Sequence, residues 1–211
     1  MHQPTIVSVR GLFALIAVSL LTAVAPAYAE NDTPMAVITG AVDDIKAGLG
    51  DRRGDFEEDE AALLTFVDGL LSPRFDRNYA GRLVLGQHWK KADTEQKKRF
   101  IAGFYSAMLG RYAAGILEFQ EDRVEILPAR GKGDDKKKRA IVRTIVTLDN
   151  NEQVPVNYGL VQRGESGWKV YDVNIEGISY IRNFRAEIDS EIKKTSLDAV
   201  IERLEKEAAG S

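Results

Sequence analysis

The sequence predicts an α+β fold in which a curved antiparallel sheet of about four strands packs against several helices. Three observations predict it. Apolar residues recur at helical spacing through the first half, and the middle carries period-two runs separated by Asn- and Gly-bearing turns. The stretch from Trp168 to Arg185 reads as a strand that breaks at Gly177 and passes straight into an amphipathic helix.

The helices come first. Thr33 can cap a helix whose first turn holds Pro34, and Ile38, Val42, Ile45 and Leu49 follow on one face. Gly50 to Gly54 is a polar break. The acidic run Glu57 to Glu60 places carboxylates at the positive end of a second helix, with Leu63, Phe66, Val67, Leu70 and Leu71 inward. Ser72 and Pro73 stop it. A short helix is expected over Asp76 to Val84. Asp93 opens the longest helix, and Gln96 completes a capping box. Its apolar face runs through Phe100, Ile101, Phe104, Met108, Leu109, Tyr112, Ile116 and Phe119. Gly103 and Gly110 on it permit close approach or bending, each costing about 1 kcal/mol against alanine.

Strands are expected over Arg123–Pro128, Arg139–Leu148, Val154–Gln162 and Trp168–Ile175, joined by turns at Asp149–Glu152 and Gly164–Gly167. Ala140, Val142, Val146 and Leu148 share one face while Arg139 and Arg143 point away; Val154, Val156, Tyr158 and Leu160 alternate likewise. Helices over Ser179–Lys193 and Ser196–Glu207 close the chain. No internal repeat or long linker divides it.

Residues 1–29 read as a secretion signal. Arg10 gives the positive start, Gly11 to Val24 is apolar except for Ser19 and Thr22, and Ala27-Tyr28-Ala29 offers small residues where a signal peptidase cuts. That run is shorter than the roughly 20 apolar residues of a membrane-spanning helix. Cleavage is expected after Ala29, leaving residues 30–211 as a single exported domain with a periplasmic or secreted destination. No second run is expected to span a membrane. The net charge is −3, and losing the leader, with Arg10 and no acid, makes it one unit more acidic. That balance argues against nucleic acid or anionic membrane as the principal partner. With no cysteine, thiol nucleophiles, zinc–thiolate sites and disulfides are excluded.

Little looks catalytic. His88 is the only histidine beyond the leader, and beside Trp89 at a helix boundary it reads as structural. There is no HExxH and no GxSxG, so neither a metal site nor a serine triad has its parts. Gly131-Lys132-Gly133 is too short for a phosphate loop and reads as a hairpin tip. Lys136 to Arg139 reads as a solvated basic loop balanced by Asp134 and Asp135, although it could meet a headgroup or an acidic partner. Asp172 and Glu176 share a strand face but lie about 13 Å apart at the usual rise, too far for a glycosidase pair. Asp172 is expected to pair with an arginine or to cap backbone groups.

Several short motifs keep a characteristic order: Pro73-Arg74-Phe75-Asp76, Leu85-Gly86-Gln87-His88-Trp89, the series Gln96, Phe100, Phe104, Leu109 and Tyr112, then Val156-Asn157-Tyr158, Trp168 to Asp172, Gly177-Ile178-Ser179 and Asn183-Phe184-Arg185. In these the chain resembles the MlaC family, periplasmic phospholipid-binding components of the pathway that maintains outer-membrane lipid asymmetry, also labelled toluene-tolerance proteins. The likeness covers nearly all of residues 30–211. Two departures stand out: the basic insertion Gly131–Lys138, and Phe184 where the family usually has tyrosine.

The resemblance implies that helices and sheet enclose an apolar pocket for acyl chains, with no cofactor and no enzymatic step. Hiding a chain of about sixteen carbons from water stabilises a complex by about 12 kcal/mol, at about 0.8 kcal/mol per CH₂. Candidate wall residues are Phe75, Leu85, Trp89, Phe104, Met108, Val146, Val156, Tyr158, Val170 and Ile181, and Gly103, Gly110 and Gly177 are candidate flex points for opening. The implied partners are phospholipid acyl chains, an inner-membrane ABC transporter complex with an MCE ring, and an outer-membrane lipoprotein–porin complex. Three other readings stay open: a hopanoid-associated carrier, a small periplasmic hydrolase or isomerase on a cone-shaped α+β fold, and an interaction module with a filled core.

Overall fold

The computed structural model describes residues 33–120, 123–128, 138–148 and 150–209. The leader with its cleavage point, the Gly131–Gly133 tip and most of the basic loop lie outside them.

Local sequence chemistry explains most helix ends. Helix α1 (Pro34–Leu49) is capped by Thr33, whose Oγ1 accepts from the Ala36 amide at 3.1 Å. The polar break expected at Gly50 to Gly54 instead carries helix of its own, ahead of the expected second helix. After a 3₁₀ turn at Gly50–Arg52, α2 (Arg53–Glu58) and α3 (Glu60–Leu71) are divided at Asp59. Asp59 takes an extended conformation, and its carboxylate accepts from the Ala62 amide at 2.9 Å. The acidic run therefore interrupts helix where one of its carboxylates makes a better cap than a helical residue. Asp76 caps α4 (Arg77–Leu85), which tightens into a 3₁₀ turn over Gly86–Lys90.

Helix α5 (Thr94–Tyr112) opens on the expected box. Asp93 Oδ1 accepts from the Gln96 amide at 2.8 Å, and Gln96 Oε1 from the Asp93 amide at 3.1 Å. It ends earlier than its apolar pattern suggests, because Ala113–Glu118 winds as 3₁₀ and takes Ile116 off the α-helical face. The whole stretch Thr94–Glu118 is long and apolar enough to cross a membrane, contrary to the sequence expectation. Its α5 part packs chiefly along α7, through a face that buries Phe100, Gly103, Phe104 and Tyr105.

The sheet is an open antiparallel meander in the order β1 to β5: β1 (Val124–Ile126), β2 (Arg139–Thr147), β3 (Gln153–Gln162), β4 (Trp168–Ile175) and β5 (Ile178–Ser179). The fifth strand exceeds the four expected. It exists because Glu176 (φ +51°) and Gly177 (φ +86°) form a two-residue turn that folds Ile178 back onto Ile175. Register aligns Val142, Tyr158 and Val173 across three strands, and Thr144, Val156 and Ile175 beside them. Between Gly159 and Leu160 the pairing slips: Gly159 faces Asp172 but Leu160 faces Val170, leaving Tyr171 as the extra residue. Such a bulge bends the strand, and supplies local curvature.

Helices α6 (Tyr180–Lys194) and α7 (Leu197–Ala209) finish the chain. Ser179 caps α6 by accepting from the Arg182 amide at 3.1 Å, and donates to Asp172 Oδ2 at 2.7 Å. Asp172 Oδ1 accepts from the Ile181 amide at 3.1 Å, so Asp172 does cap backbone. The main core joins the sheet to α1, α4, α5, α6 and α7; a smaller one gathers Leu49, Phe56, Leu63, Val67 and Ala113.

Candidate functional site

The Pro73-to-Asp76 motif acts as an added sheet segment. Arg74 O accepts from the Val170 amide at 2.7 Å, and the Asp76 amide donates to Val170 O at 2.8 Å, so Phe75 is bridged in parallel to Val170. This holds α3 and α4 against β4 and drives Phe75 inward. It also buries Arg74, which donates to Leu70 O at 3.1 Å and to Asp44 at 2.7 Å. Burial lowers the pKa of that guanidinium.

Eight of the ten wall candidates meet in one cluster. Phe75, Leu85, Phe104, Val170 and Ile181 are buried there, and Trp89, Met108 and Tyr158 pack against it partly exposed. Val156 is buried on the neighbouring strand position, and Val146 is partly buried between its partners Val124 and Val154. The partly exposed members leave apolar surface shielded but not sealed. Leu109, Ile126, Val173 and Tyr180 have the same status.

Sequence reasoning missed an aromatic seam between α5 and α6. Phe100 stacks on Phe104 with centroids 6.1 Å apart, Phe104 meets Phe184 edge-on at 5.3 Å, Phe184 meets Tyr112 at 6.3 Å, and Tyr112 meets Tyr180 at 5.2 Å. The series runs from a fully buried ring to Tyr112, which is 42% exposed. Edge-to-face contacts give about 0.5–1.5 kcal/mol each beyond burial. The signal for this seam lay in the aromatic residues of both helices, but nothing in spacing alone aligns α5 with α6.

Several polar groups in this region have defined partners. Thr144 is almost wholly buried and donates to Val156 O at 3.1 Å. Tyr158 is partly exposed as a residue, but its hydroxyl end is desolvated, which raises its pKa against an opposing bond to Thr144. Tyr105 donates to Asp68 at 2.6 Å beneath the Arg77 guanidinium, and burial, then that bond, raise its pKa. His88 ties the turn after α4 to α6: its Nε2 lies 2.7 Å from Asp189 Oδ1. Asp189 also accepts from Gln87 at 2.7 Å and Lys193 at 2.6 Å, and these three bonds, Lys193 first, hold its carboxyl below the usual range. Among the described residues no group of three or more His, Asp or Glu is placed to hold a metal ion. Gly103 is not free space: a Cβ there would lie 3.0 Å from Leu204 Cβ, so it serves close packing of α5 on α7.

The sequence model of the MlaC protein family matches residues 39–206. The chain belongs to the MlaC family. Among MlaC-family relatives, the toluene tolerance protein ttg2D of Pseudomonas putida is 27% identical over 190 residues, covering 90% of this chain and 84% of that one. The intermembrane phospholipid transport system binding protein MlaC of Haemophilus influenzae is 23% identical over 184 residues, covering 87% and 85%. Among solved structures, the phospholipid-binding protein from Ralstonia solanacearum, determined in complex with a phospholipid, superposes with a TM-score of 0.70 at 27% identity, covering 86% of this chain and 98% of that one. The mixed helix-and-sheet architecture is thus that of a known phospholipid-binding fold. The motifs that suggested the MlaC family fall at its structural joints: the parallel bridge to β4, the 3₁₀ turn after α4, the strand–turn–helix of β4 to α6, and the Phe184 seam.

Proposed function

We propose that this MlaC-family chain is a periplasmic phospholipid carrier, shuttling lipid between an inner-membrane ABC transporter complex with an MCE ring and an outer-membrane lipoprotein–porin complex, and so maintaining outer-membrane lipid asymmetry. The observation that carries the reading is the band of shielded but unsealed apolar side chains, Trp89, Met108, Leu109, Tyr158, Val173 and Tyr180, on the surface of the main core. An acyl chain needs such a surface and little else, because its binding energy comes from area removed from water. Family membership and the lipid-bound structural relative support it.

The wall comprises the ten candidate residues, and the helices part from the sheet to admit the chains. Catalysis is no part of this role, since carriage makes and breaks no covalent bond. The test is to purify the exported protein from bacterial periplasm, extract it with organic solvent and identify lipids by mass spectrometry. Phospholipid at a fixed, near-integral ratio is the expected result. A polycyclic lipid in its place would move the cargo to the hopanoid class. A protein that brings none and takes none from vesicles overturns carriage.

A further inference from the structure

Two of the motifs just placed converge on a second feature, separate from the apolar band. Gln87 of the 3₁₀ turn and Leu85 before it line an open cleft of about 330 Å³ together with Arg182, Arg185, Ala186 and Asp189 of α6. That volume is at the small end of ligand sites. Positions 182, 185, 186 and 189 recur at helical spacing and so present one face of α6 to the turn.

The charges in the cleft are unevenly matched. Asp189 is engaged three times, with Oδ1 accepting from Gln87 and His88 and Oδ2 from Lys193. The other acids of α6 are engaged elsewhere, Glu187 with Arg111 at 3.8 Å and Glu191 with Arg203 at 2.7 Å. The facing segment, residues 77–92, holds Arg77, Arg82, Lys90 and Lys91 and no acid. Among the described residues, the Arg182 and Arg185 side chains make no ion pair or hydrogen bond. Two arginines about one turn apart on α6 thus line the cleft with their side-chain donors unspent.

Gly86 adds a specific accommodation. Its φ is +51°, and a Cβ built on it would lie 2.5 Å from Arg185 Nε and 2.8 Å from Cζ and Nη2. Any other residue would be strained there and would collide with the guanidinium. The glycine leaves room for the guanidinium to lie close to the backbone of the turn. A planar fork near a second one suits a tetrahedral oxyanion with several acceptor oxygens.

The geometry points to a binding site for a phosphate-class oxyanion in this cleft, held by Arg182 and Arg185. It rests on the carrier reading only for its natural source, which is either the headgroup phosphate of carried lipid or a soluble phosphate. Titrating inorganic phosphate and glycerol phosphate into delipidated, isotope-labelled protein, with chloride at matched ionic strength as control, tests it. Phosphate should shift the Arg185 Nε–H and Ala186 amide signals saturably, while chloride should not. Arg182→Gln and Arg185→Gln should each weaken the apparent affinity by about tenfold, as expected for a lost charge-assisted bond, without changing the fold, because both side chains are exposed. Arg185→Lys should recover only part of the loss.

Lipid-loaded protein distinguishes the sources. Exclusion of added phosphate, with a ³¹P lipid resonance that moves in Arg185→Gln, assigns the headgroup; equal uptake by loaded protein assigns soluble phosphate. No saturable shift in delipidated protein, a shift that the variants leave untouched, or saturation by an acidic peptide but not by phosphate would each overturn the site. Carriage is read separately from lipid stoichiometry. A lipid-free protein that still binds phosphate keeps the cleft and loses the carrier, and a lipid-loaded protein whose delipidated form ignores phosphate does the reverse.

Discussion

Replacing Gly177 with valine separates a gate from a scaffold. Gly177 has φ +86°, and a Cβ there would meet nothing within 4 Å, so a side chain costs backbone strain and no collision. An L-residue in left-handed conformation costs about 1–2 kcal/mol, more for a β-branched one, offset by about 0.4–1 kcal/mol from a stiffer unfolded chain. The net loss should be about 1–2 kcal/mol. For a domain of this size that lowers Tm by about 2–8 °C. The turn also holds the Gly177 amide on Asn174 Oδ1 at 3.1 Å and pairs Ile178 with Ile175, immediately before α6 and its aromatic seam. If α6 and the sheet must separate to load lipid, stiffening this joint should cut the lipid-to-protein ratio several-fold while most molecules stay folded. Thermal unfolding and quantitative lipid extraction on one preparation give both numbers. Losses in equal proportion would refute a gating role, and a Tm drop beyond about 15 °C would refute the strain-only accounting. Glu176→Gly, relieving a non-glycine φ of +51°, should leave stability within about 1 kcal/mol and loading intact.

Gly103→Val should destabilise by about 1–3 kcal/mol through overpacking against Leu204 while folded molecules keep their lipid ratio, measured by chemical denaturation and extraction. Phe104→Ala should cost about 3–5 kcal/mol in the same denaturation assay, because the ring is fully buried between Phe100 and Phe184. Asp189→Asn should lower Tm at pH 7 more than at pH 3. The carboxyl's pKa is depressed in the folded protein, so its contribution is complete above the ordinary aspartate pKa of about 3.9 and fades as pH falls through the folded value. A gap between wild type and variant that stays constant or widens on acidification would show that Asp189 is not the linked group. Met108→Trp, at a partly exposed wall position, should reduce vesicle lipid uptake more than it lowers Tm.

Much of the fold was legible because its determinants are local. A cap needs one side chain and one amide within a turn, so Thr33 and the Asp93–Gln96 box could be placed from spacing alone. Alternation along β2 and β3 placed Val142, Val156 and Leu160 inward for the same reason, although it overlooked Thr144, a polar residue buried because its hydroxyl reaches Val156 O, and put Leu148 inward where it is 42% exposed. The start of the second helix was legible in the acidic run, but α2 was not, because Gly50 and Gly54 read as a break.

The sequence by itself determined the class of fold, the MlaC likeness and the strand–turn–helix at Gly177, since each rests on residues adjacent along the chain. Only the tertiary structure decided that Phe75 bridges to Val170, that Phe184 meets Tyr112 across two helices, and that Gly86 receives the guanidinium of Arg185. It also decided which apolar residues are sealed, like Leu85, and which stay half-open, like Met108. Hydrophobic burial is non-directional, so composition can specify that these side chains leave water but not which neighbours they meet. That choice belongs to contacts between residues far apart in the chain.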